Sequence, residues 1–561
     1  MERLFKEHKT RKEISLNGLW NFKTDPGDIG EKQGWQNGLP DDAGAMFVPA
    51  CWNLQMGLLD YHGAAWYTTS FETDCQNILL EFGAVNYCAE VFLDGKLLGT
   101  HKDGFLSFSF PVSGISKGTH LLAVRADNRV SNETIPHTFV DWYHYGGIIR
   151  GVTCNMLDDI YISDMKIEYD LDDNLKNASV NLSYTVVNTS ENTAECPFEL
   201  LVDDEDICKK TIILKAGENC LTESFTLNDI RLWDTFKPEM YTFCLKVQGD
   251  DMIDCTGFRS IKTKEGKLLL NGKELRLKGI NRHEDHPDFG FAFPPQLMQR
   301  DIDIITGMGC NSIRGSHYPN SKIFLDLLDR QGIVFWIEIP QWGEQEEECA
   351  NPVIVECGIR QHKQMVTQYR HHPSIIMWGL HNEANTKTQV AYEMTKAYAQ
   401  TVRELDKSRP LTFATMYPLD DICLSLVDII SINKYFGWYE GGMEEWPKFL
   451  NNMRKKLEAD GLSHLPVIIS EFGAAALYGH HTFDNIKWTE EYQAKLLADE
   501  LELFQSDPNI CGTYIWQYCD LRTVHPSTDR ARGFNNKGVV NEYRRPKASY
   551  AAIKQVQEKK R

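Results

Sequence analysis

The sequence predicts a multidomain chain: a β-sandwich of jelly-roll type, an immunoglobulin-like β-sandwich, and a C-terminal (β/α)8 TIM barrel. Three observations predict it. Residues 1–160 are rich in short strand-like runs, with few segments of helical periodicity. Residues 161–262 keep a two-residue apolar alternation over about 100 residues, the size of an immunoglobulin-like unit. From 263 to 561 apolar runs alternate with amphipathic stretches, and eight such runs fit in the 299 residues available. A (β/α)8 barrel needs eight strands and typically runs to about 250 residues.

In the first segment, "ILLEFGAVNYCAEVFLDGKLLGTH" is representative. Apolar runs flank Asp94-Gly95, and Asp-Gly between apolar runs is a strong hairpin signal. "HLLAVRADNRV" adds another strand, and closely spaced short strands of this kind fit a jelly roll. In the second segment, "ASVNLSYTVVN" places Val180, Leu182, Tyr184 and Val186 at period two, and "CPFELLVDD" and "MYTFCLKVQG" follow in the same style. In the third, the candidate strands are Leu275–Asn281, Cys310–Arg314, Ile333–Ile339, Ile375–Leu380, Leu411–Met416, Ile429–Asn433, Val467–Ser470 and Thr513–Trp516. Between them lie helical patterns such as "SKIFLDLLDRQG" and "WTEEYQAKLLADELELF".

Bulk properties narrow the functional classes. The formal charge of −20 argues against a nucleic-acid or anionic-membrane surface, because phosphate binding needs clustered Lys and Arg. The start "MERLFKEHKTRKEISL" has no apolar signal core, and no stretch of about 18 apolar residues occurs. The fifteen cysteines are scattered, without a Cys-x-x-Cys pair, so free thiols in a reducing cytoplasm are expected. No metal site is expected at His371-His372 or His480-His481, since adjacent side chains diverge. There is no GxxxxGK[ST] phosphate loop.

In a (β/α)8 barrel the chemistry sits at the carboxyl ends of the strands. Two apolar runs end there in a carboxylate: "PSIIMWGLHNEAN" delivers Asn382 and Glu383, and "LPVIISEFG" delivers Glu471. Other strand ends supply Asn281 to Asp285, Arg314 and His317, Glu338, Gln341 and Trp342, then Asn433, Lys434, Tyr435, Trp438 and Tyr439, and finally Trp516. Taken singly, a Glu after a strand is often a helix N-terminal residue or a solvated loop charge. Arg282 and Glu284 could be an internal ion pair, and Glu344 with Glu346–Glu348 a solvated helix start. Together, the rim collects amides and charges that hydrogen-bond hydroxyls, rings that stack on a pyranose face, and two carboxyls of the kind glycoside hydrolysis requires.

The chain resembles the family-two glycoside hydrolases. "LNGLWNF", "VPACWN", "NRHED", "SHYP", "HNE" and "SEFG" carry the resemblance over essentially the whole chain, and "INKYFGWY", "KWTEEYQ", "NNKG" and "RRPKASYAAIK" bring it nearest to the bacterial β-glucuronidases of that family. The resemblance implies a retaining, exo-acting hydrolase that forms a covalent glycosyl-enzyme intermediate and needs no cofactor. It makes Glu383 the general acid/base and Glu471 the nucleophile. Asn382, Asn433, Tyr435, Tyr439 and Trp516 then line the sugar site, Asp141 reaches in from the jelly roll, and Asn535 and Lys537 hold a uronate carboxylate. The family's arginine ahead of Asn-x-Lys is out of register: Arg530 and Arg532 flank its position, which holds Ala531. The expected partners are a small-molecule glucuronide or glycan-derived substrate and further copies of the chain in a homo-oligomer, with no nucleic acid and no membrane. A β-galacturonidase or β-galactosidase on the same scaffold, and a non-catalytic carbohydrate-binding protein, are the alternatives. The next helix begins within about ten residues of strand three, which leaves little chain for a lid and predicts an open mouth.

Overall fold

The computed structural model describes residues 3–524 and 530–559. The first sandwich packs a four-stranded sheet, which runs from Lys12–Ser15 through Gly147–Leu157 and Asn77–Asn86 to Phe108–Ser113, against a six-stranded sheet. The Asp-Gly hairpin forms as the sequence predicts. Leu93 pairs with Lys96 across it, and Asp94 and Gly95 both take positive φ, 49° and 78°. Two consecutive positive φ values match the right-handed twist of the flanking strands.

The second sandwich joins a three-stranded sheet (Ile160–Leu171, Ala178–Asn188, Gly217–Leu227) to a four-stranded one. Val180, Leu182, Tyr184 and Val186 all face its core. The period-two pattern is therefore the buried face of one strand.

The barrel closes with eight parallel strands: β1 (Leu277–Arg282), β2 (Ser312–Gly315), β3 (Val334–Glu338), β4 (Ile375–Asn382), β5 (Leu411–Thr415), β6 (Ile430–Asn433), β7 (Val467–Glu471) and β8 (Ile510–Ile515). Pairing of Ile280 in β1 with Ile515 in β8 completes the ring. Every residue of β2 to β8 is buried, as strands covered on both faces must be. That is why runs such as VFWIE in β3 and IIMWGL in β4 read as largely apolar. Inside, Trp336, Met377, Ile468 and Tyr514 fill the end away from the catalytic rim. Outside, α1 (Pro295–Gly307), α2 (Lys322–Gln331), α3 (Pro352–Tyr369), α4 (Gln389–Leu405), α5 (Glu445–Ala459), α6 (Glu490–Ser506) and α7 (Ala548–Glu558) cover the strands.

The connections after β3 and β5 are among those that depart from the repeating β/α unit. Between β3 and α3 only residues 339–345 precede a single helical turn at Glu346–Cys349. Between β5 and β6 the described chain has no α-helix, only a 3-10 turn at Leu424–Leu426.

The jelly roll is tied to the barrel by partly buried polar contacts. Arg360 of α3 donates two hydrogen bonds to Asp103, at 2.8 and 2.7 Å. Arg150 meets Glu284 at 3.1 Å. The bland pairing of Arg282 with Glu284 exists at 3.8 Å, but the stronger partner of Arg282 is Asp301, at 2.9 Å, with both side chains fully buried.

Candidate active site

The strand ends meet in a cavity of about 300 Å³ at the carboxyl rim. Of the ten site residues predicted from the sequence, nine line it: Asp141, Glu383, Asn433, Tyr435, Tyr439, Glu471, Trp516, Asn535 and Lys537. Asn382, the tenth, is buried beside Glu383.

The arrangement starts from Arg314 on β2. Its guanidinium is wholly buried and lies 4.3 Å from the centre of the Trp336 ring. It donates to Glu471 Oε1 at 2.9 Å, to Asn281 Oδ1 at 3.2 Å and to Asn382 Oδ1 at 2.7 Å, and it grips Glu338 through both carboxylate oxygens, at 3.1 and 2.9 Å. One rigid fork thus fixes groups from β1, β3, β4 and β7, a geometry suited to arginine and not to lysine.

Glu471, the last residue of β7, also accepts from the Tyr435 hydroxyl at 2.7 Å. Burial raises its carboxyl above the ordinary range, and the Arg314 guanidinium and Tyr435 hydroxyl oppose that rise. Two strong donors on a carboxylate favour its charged form.

Glu383 follows β4 in the left-handed region, with φ at 56°. Such a conformation in a non-glycine residue costs about 1–3 kcal/mol and concentrates at functional sites. Its backbone N–H is held by Ala414 O at 2.9 Å, and its carboxylate accepts from Asn433 Nδ2 at 2.8 Å. Asn433 is oriented in turn by Ser470 Oγ, which donates to its Oδ1 at 2.7 Å. Burial, then the charge of Glu471, push the Glu383 carboxyl up to about 8. The two carboxyls therefore differ: Glu383 is raised to about 8 and forms no ion pair among the described residues, while Glu471 sits in the Arg314 fork.

The aromatic floor is formed by Trp516 and its neighbours. His317 stacks on Trp516 with centroids 5.1 Å apart and an 18° interplanar angle, and its Nδ1 lies 2.6 Å from Glu338 Oε1. Trp142, from the jelly roll, packs against His283 and His317, each at 5.8 Å. Burial drives both histidines well below their ordinary range. His381 turns away from the cavity. It stacks on Phe413 and contacts Thr395 Oγ1 at 3.0 Å, a histidine of the barrel wall.

The remaining wall is cationic. Lys537 is 2% exposed, and its ammonium donates to the Tyr439 hydroxyl at 2.6 Å. Burial, with the nearby Arg530, lowers its pKa. Of the two arginines that flank Ala531, Arg530 lines the cavity and pairs with Asp141, its Nε donating to Oδ1 at 3.0 Å. Asn535 Nδ2 reaches the same carboxylate at 3.3 Å. Arg532 faces elsewhere, toward Glu542 at 2.8 Å and Asn536 at 3.1 Å.

Sequence reasoning named Arg314, His317 and Glu338 as strand-end residues without giving them a place in the site, and it left Arg530 undecided. Their strand-end positions were the available signal. Glu344 corrects the solvated helix-start reading: it is 2% exposed, its Oε1 accepts from Trp342 N–H at 3.1 Å, and burial raises its carboxyl to about 8. His371 and His372 find different partners, Asp254 and Asp329, each at 2.6 Å. Asp326, Asp329 and His372 do cluster, but Arg3 bonds Asp326 at 2.9 Å and the Ser374 N–H bonds Asp329 at 2.9 Å, so those oxygens are already engaged.

Comparison with known proteins agrees with this geometry. Models of glycosyl hydrolases family 2 match the chain in three consecutive pieces: the sugar binding domain over residues 14–157, the central domain over 160–259 and the TIM barrel domain over 261–561. A β-glucuronidase of Paenibacillus borealis is 27% identical over 97% of this chain and 96% of its own length. A β-glucuronidase of Bacteroides fragilis is 29% identical over 95% of this chain and 79% of its own. Among solved structures, a β-galacturonidase from Eisenbergiella tayi bound to galacturonate superimposes with a TM-score of 0.91 at 34% identity, covering 100% of this chain and 99% of that one. A β-glucuronidase from Ruminococcus gnavus does so with a TM-score of 0.86 at 28% identity, covering 99% of each.

Proposed function

The chain belongs to glycosyl hydrolases family 2 and is a glycoside hydrolase, and from that premise we propose that it is a retaining, exo-acting β-uronidase whose substrates are β-D-glucuronides. The observation that carries this reading is the cationic wall. Lys537, Asn535 and Arg530 line the same cavity as Glu383 and Glu471. A neutral hexose has no use for a buried ammonium, whereas a C6 carboxylate supplies its missing counter-charge.

Glu471 attacks the anomeric carbon while Glu383 gives its proton to the leaving oxygen. The glycosidic bond breaks, and the sugar is held as an ester on Glu471. Once Glu471 is esterified its charge is gone, so the Glu383 carboxyl falls in pKa and accepts a proton from water. That water attacks the anomeric carbon, releases Glu471 and leaves a uronate of unchanged configuration. Asn382 Nδ2 is buried without a hydrogen-bond partner among the described residues, and an unmet buried donor beside the acid fits a sugar hydroxyl.

A second reading, β-D-galacturonides, is favoured by the likeness to the galacturonate-bound enzyme from Eisenbergiella tayi. The two sugars differ only at C4, which Lys537 does not read.

The test is a panel of p-nitrophenyl β-D-glucuronide, galacturonide, galactoside and glucoside, with the first-formed product followed by proton NMR. Hydrolysis of the glucuronide well ahead of both hexosides, with the β-anomer formed first, is expected. Preference for a hexoside overturns the uronide reading, and an α-anomer formed first overturns retention.

A further inference from the structure

We infer that a second cavity, between the jelly roll and the barrel, binds a small monocarboxylate with a flat apolar body, such as an aryl acid. It shares no lining residue with the catalytic cavity, and the inference does not rest on the uronidase reading.

The cavity measures about 310 Å³, within the range of small-molecule sites. One wall belongs to the jelly roll, where strand Gly147–Leu157 contributes Ile149, Arg150 and Thr153. The register of that strand shifts between Ile148 and Arg150, and such a bulge re-aims a side chain. Arg150 reaches across to the barrel: its Nη2 donates to Pro319 O at 2.8 Å and to Glu284 Oε2 at 3.1 Å. The barrel contributes part of the β1–α1 connection and the start of α2.

Most polar groups of the lining are already engaged. Ser107 Oγ donates to Gln368 Oε1 at 2.8 Å, and the Tyr369 hydroxyl to Asn320 O at 2.8 Å. Glu284 also accepts from the Ser321 N–H, at 3.2 Å. The groups left over are mainly donors. The Lys322 ammonium forms no hydrogen bond or ion pair with the described residues, and Glu7, Asp254 and Glu81 attract it from beyond ion-pair distance. Arg150 Nε is buried without a partner among the described residues, and so is Thr153 Oγ1, on a residue only 6% exposed. Ser321 begins α2 without a side-chain cap, and the N–H groups at a helix start favour an anion.

The lining specifies the occupant. Its charged residues are Arg150, Lys322 and Glu284. Two cations against one carboxylate leave a single positive charge, which a monoanion matches and a phosphate dianion overshoots. The apolar wall comes from one segment, with Phe289, Phe291, Phe293, Pro294, Pro295 and Met298. Phe291 and Phe293 are buried, while Phe289 is 40% exposed and meets solvent. These side chains offer a hydroxyl no partner, so a sugar would leave polar groups unmet there, whereas a flat ring packs against them.

The test is calorimetric titration of the full-length protein with 2-naphthoate, in the wild type, Lys322→Met and Lys537→Met. Its neutral analogue 2-naphthamide and the bodiless acetate are titrated into the wild type. A charge-assisted hydrogen bond is worth about ten- to a hundred-fold in affinity. We expect one naphthoate per chain, an affinity unchanged within twofold in Lys537→Met, and a loss of about ten- to a hundred-fold in Lys322→Met and for the amide. Loss of binding in Lys537→Met with full binding in Lys322→Met would place naphthoate in the catalytic cavity and overturn the inference. Equal affinity for naphthamide or acetate, or displacement of naphthoate by an equal concentration of inorganic phosphate, overturns it as well. These last comparisons use the wild type alone, so they decide the matter even if Lys322→Met does not fold.

Discussion

Replacing Lys537 by methionine removes one positive charge and keeps most of the side chain's volume. The ammonium is buried and spends one donor on the Tyr439 hydroxyl, at 2.6 Å. Two N–H groups are left for a ligand carboxylate. A charge-assisted hydrogen bond contributes about 1.5–3 kcal/mol, and 1.4 kcal/mol is a factor of ten. Loss of one such bond therefore lowers kcat/KM for p-nitrophenyl β-D-glucuronide by about ten- to a hundred-fold, with Asn535 and Arg530 retaining part of the carboxylate binding. Hydrolysis of the corresponding glucoside, which has no carboxylate, should stay within about threefold on the same reasoning. Burial lowers the Lys537 pKa, so the cost of desolvating the ammonium offsets its contacts with Tyr439, and the melting temperature of the variant should change little. The assay is the ratio of the two kcat/KM values, with thermal melting alongside. Equal losses on the charged and neutral substrates would show that Lys537 shapes the 530–538 loop and does not read the carboxylate.

Three further outcomes follow from the site. Glu471→Ala should abolish turnover of every aryl glycoside, whereas Glu383→Ala should lose about 10²–10⁴-fold on poor leaving groups and far less on a 2,4-dinitrophenyl glycoside; near-normal activity of Glu471→Ala would remove it from the nucleophile's role. Because the Glu383 carboxyl is pushed up to about 8, kcat/KM should fall as the pH rises through that value, and the fall should weaken for the dinitrophenyl substrate, which needs no proton; an identical limb for both substrates would assign it to another group. Glu344, buried and also raised to about 8, keeps a proton in the fold that the unfolded chain gives up near 4.3. Between those values the native state binds more protons, so stability falls with rising pH by ~1.4 kcal/mol per unit at this residue. Glu344→Gln should therefore gain melting temperature over the wild type progressively from pH 5 to pH 8; a difference independent of pH would mean that Glu344 is ionised.

What was legible in the sequence follows from where the determinants lie. The barrel strands could be read because most of their residues are covered on both faces, which makes runs such as VFWIE in β3 and VIISE in β7 largely apolar, and the observed bounds differ from the expected ones by at most a few residues. Glu383 and Glu471 were legible because polar residues at the end of such a run have no structural reason to be there. Pairings were not legible. That Arg314 would hold Glu338, Asn382 and Glu471 together depends on the register of four strands, which no local pattern contains. Arg530 was ambiguous because sequence spacing counts residues, while the loop decides which of two arginines turns inward; Arg532 takes a positive φ of 64° and leaves the cavity to its neighbour. Glu344 was misread for a related reason. An acidic residue ahead of a helix is usually solvated, but here the jelly roll covers it, with His137 3.9 Å away. The missing helix between β5 and β6 was hidden by the run of candidate strands, which fixes where strands fall and says nothing about what joins them.

The buried charges around Arg314 need a reason beyond stability. Arg314, Glu338 and Glu471 each expose 5% or less of the side chain. Exchange of buried ion pairs for packed apolar residues is often neutral or stabilising, so such pairs are weak evidence for stability. One cation here faces two carboxylates, and burial raises both of them. The arrangement therefore carries electrostatic strain. It becomes intelligible when a positive centre develops above Glu471. In the reaction proposed above, an oxocarbenium-like transition state supplies the second positive charge that the cluster lacks, and only while the bond is breaking. Preorganised charge that is complemented in the transition state and not in the resting enzyme lowers the barrier without tightening ground-state binding. Glu338, which is not among the residues lining the catalytic cavity, shares in this at one remove: it fixes the Arg314 fork and the His317 ring, and His317 in turn stacks on Trp516, so strand β3 sets the position of both the charge and the aromatic floor.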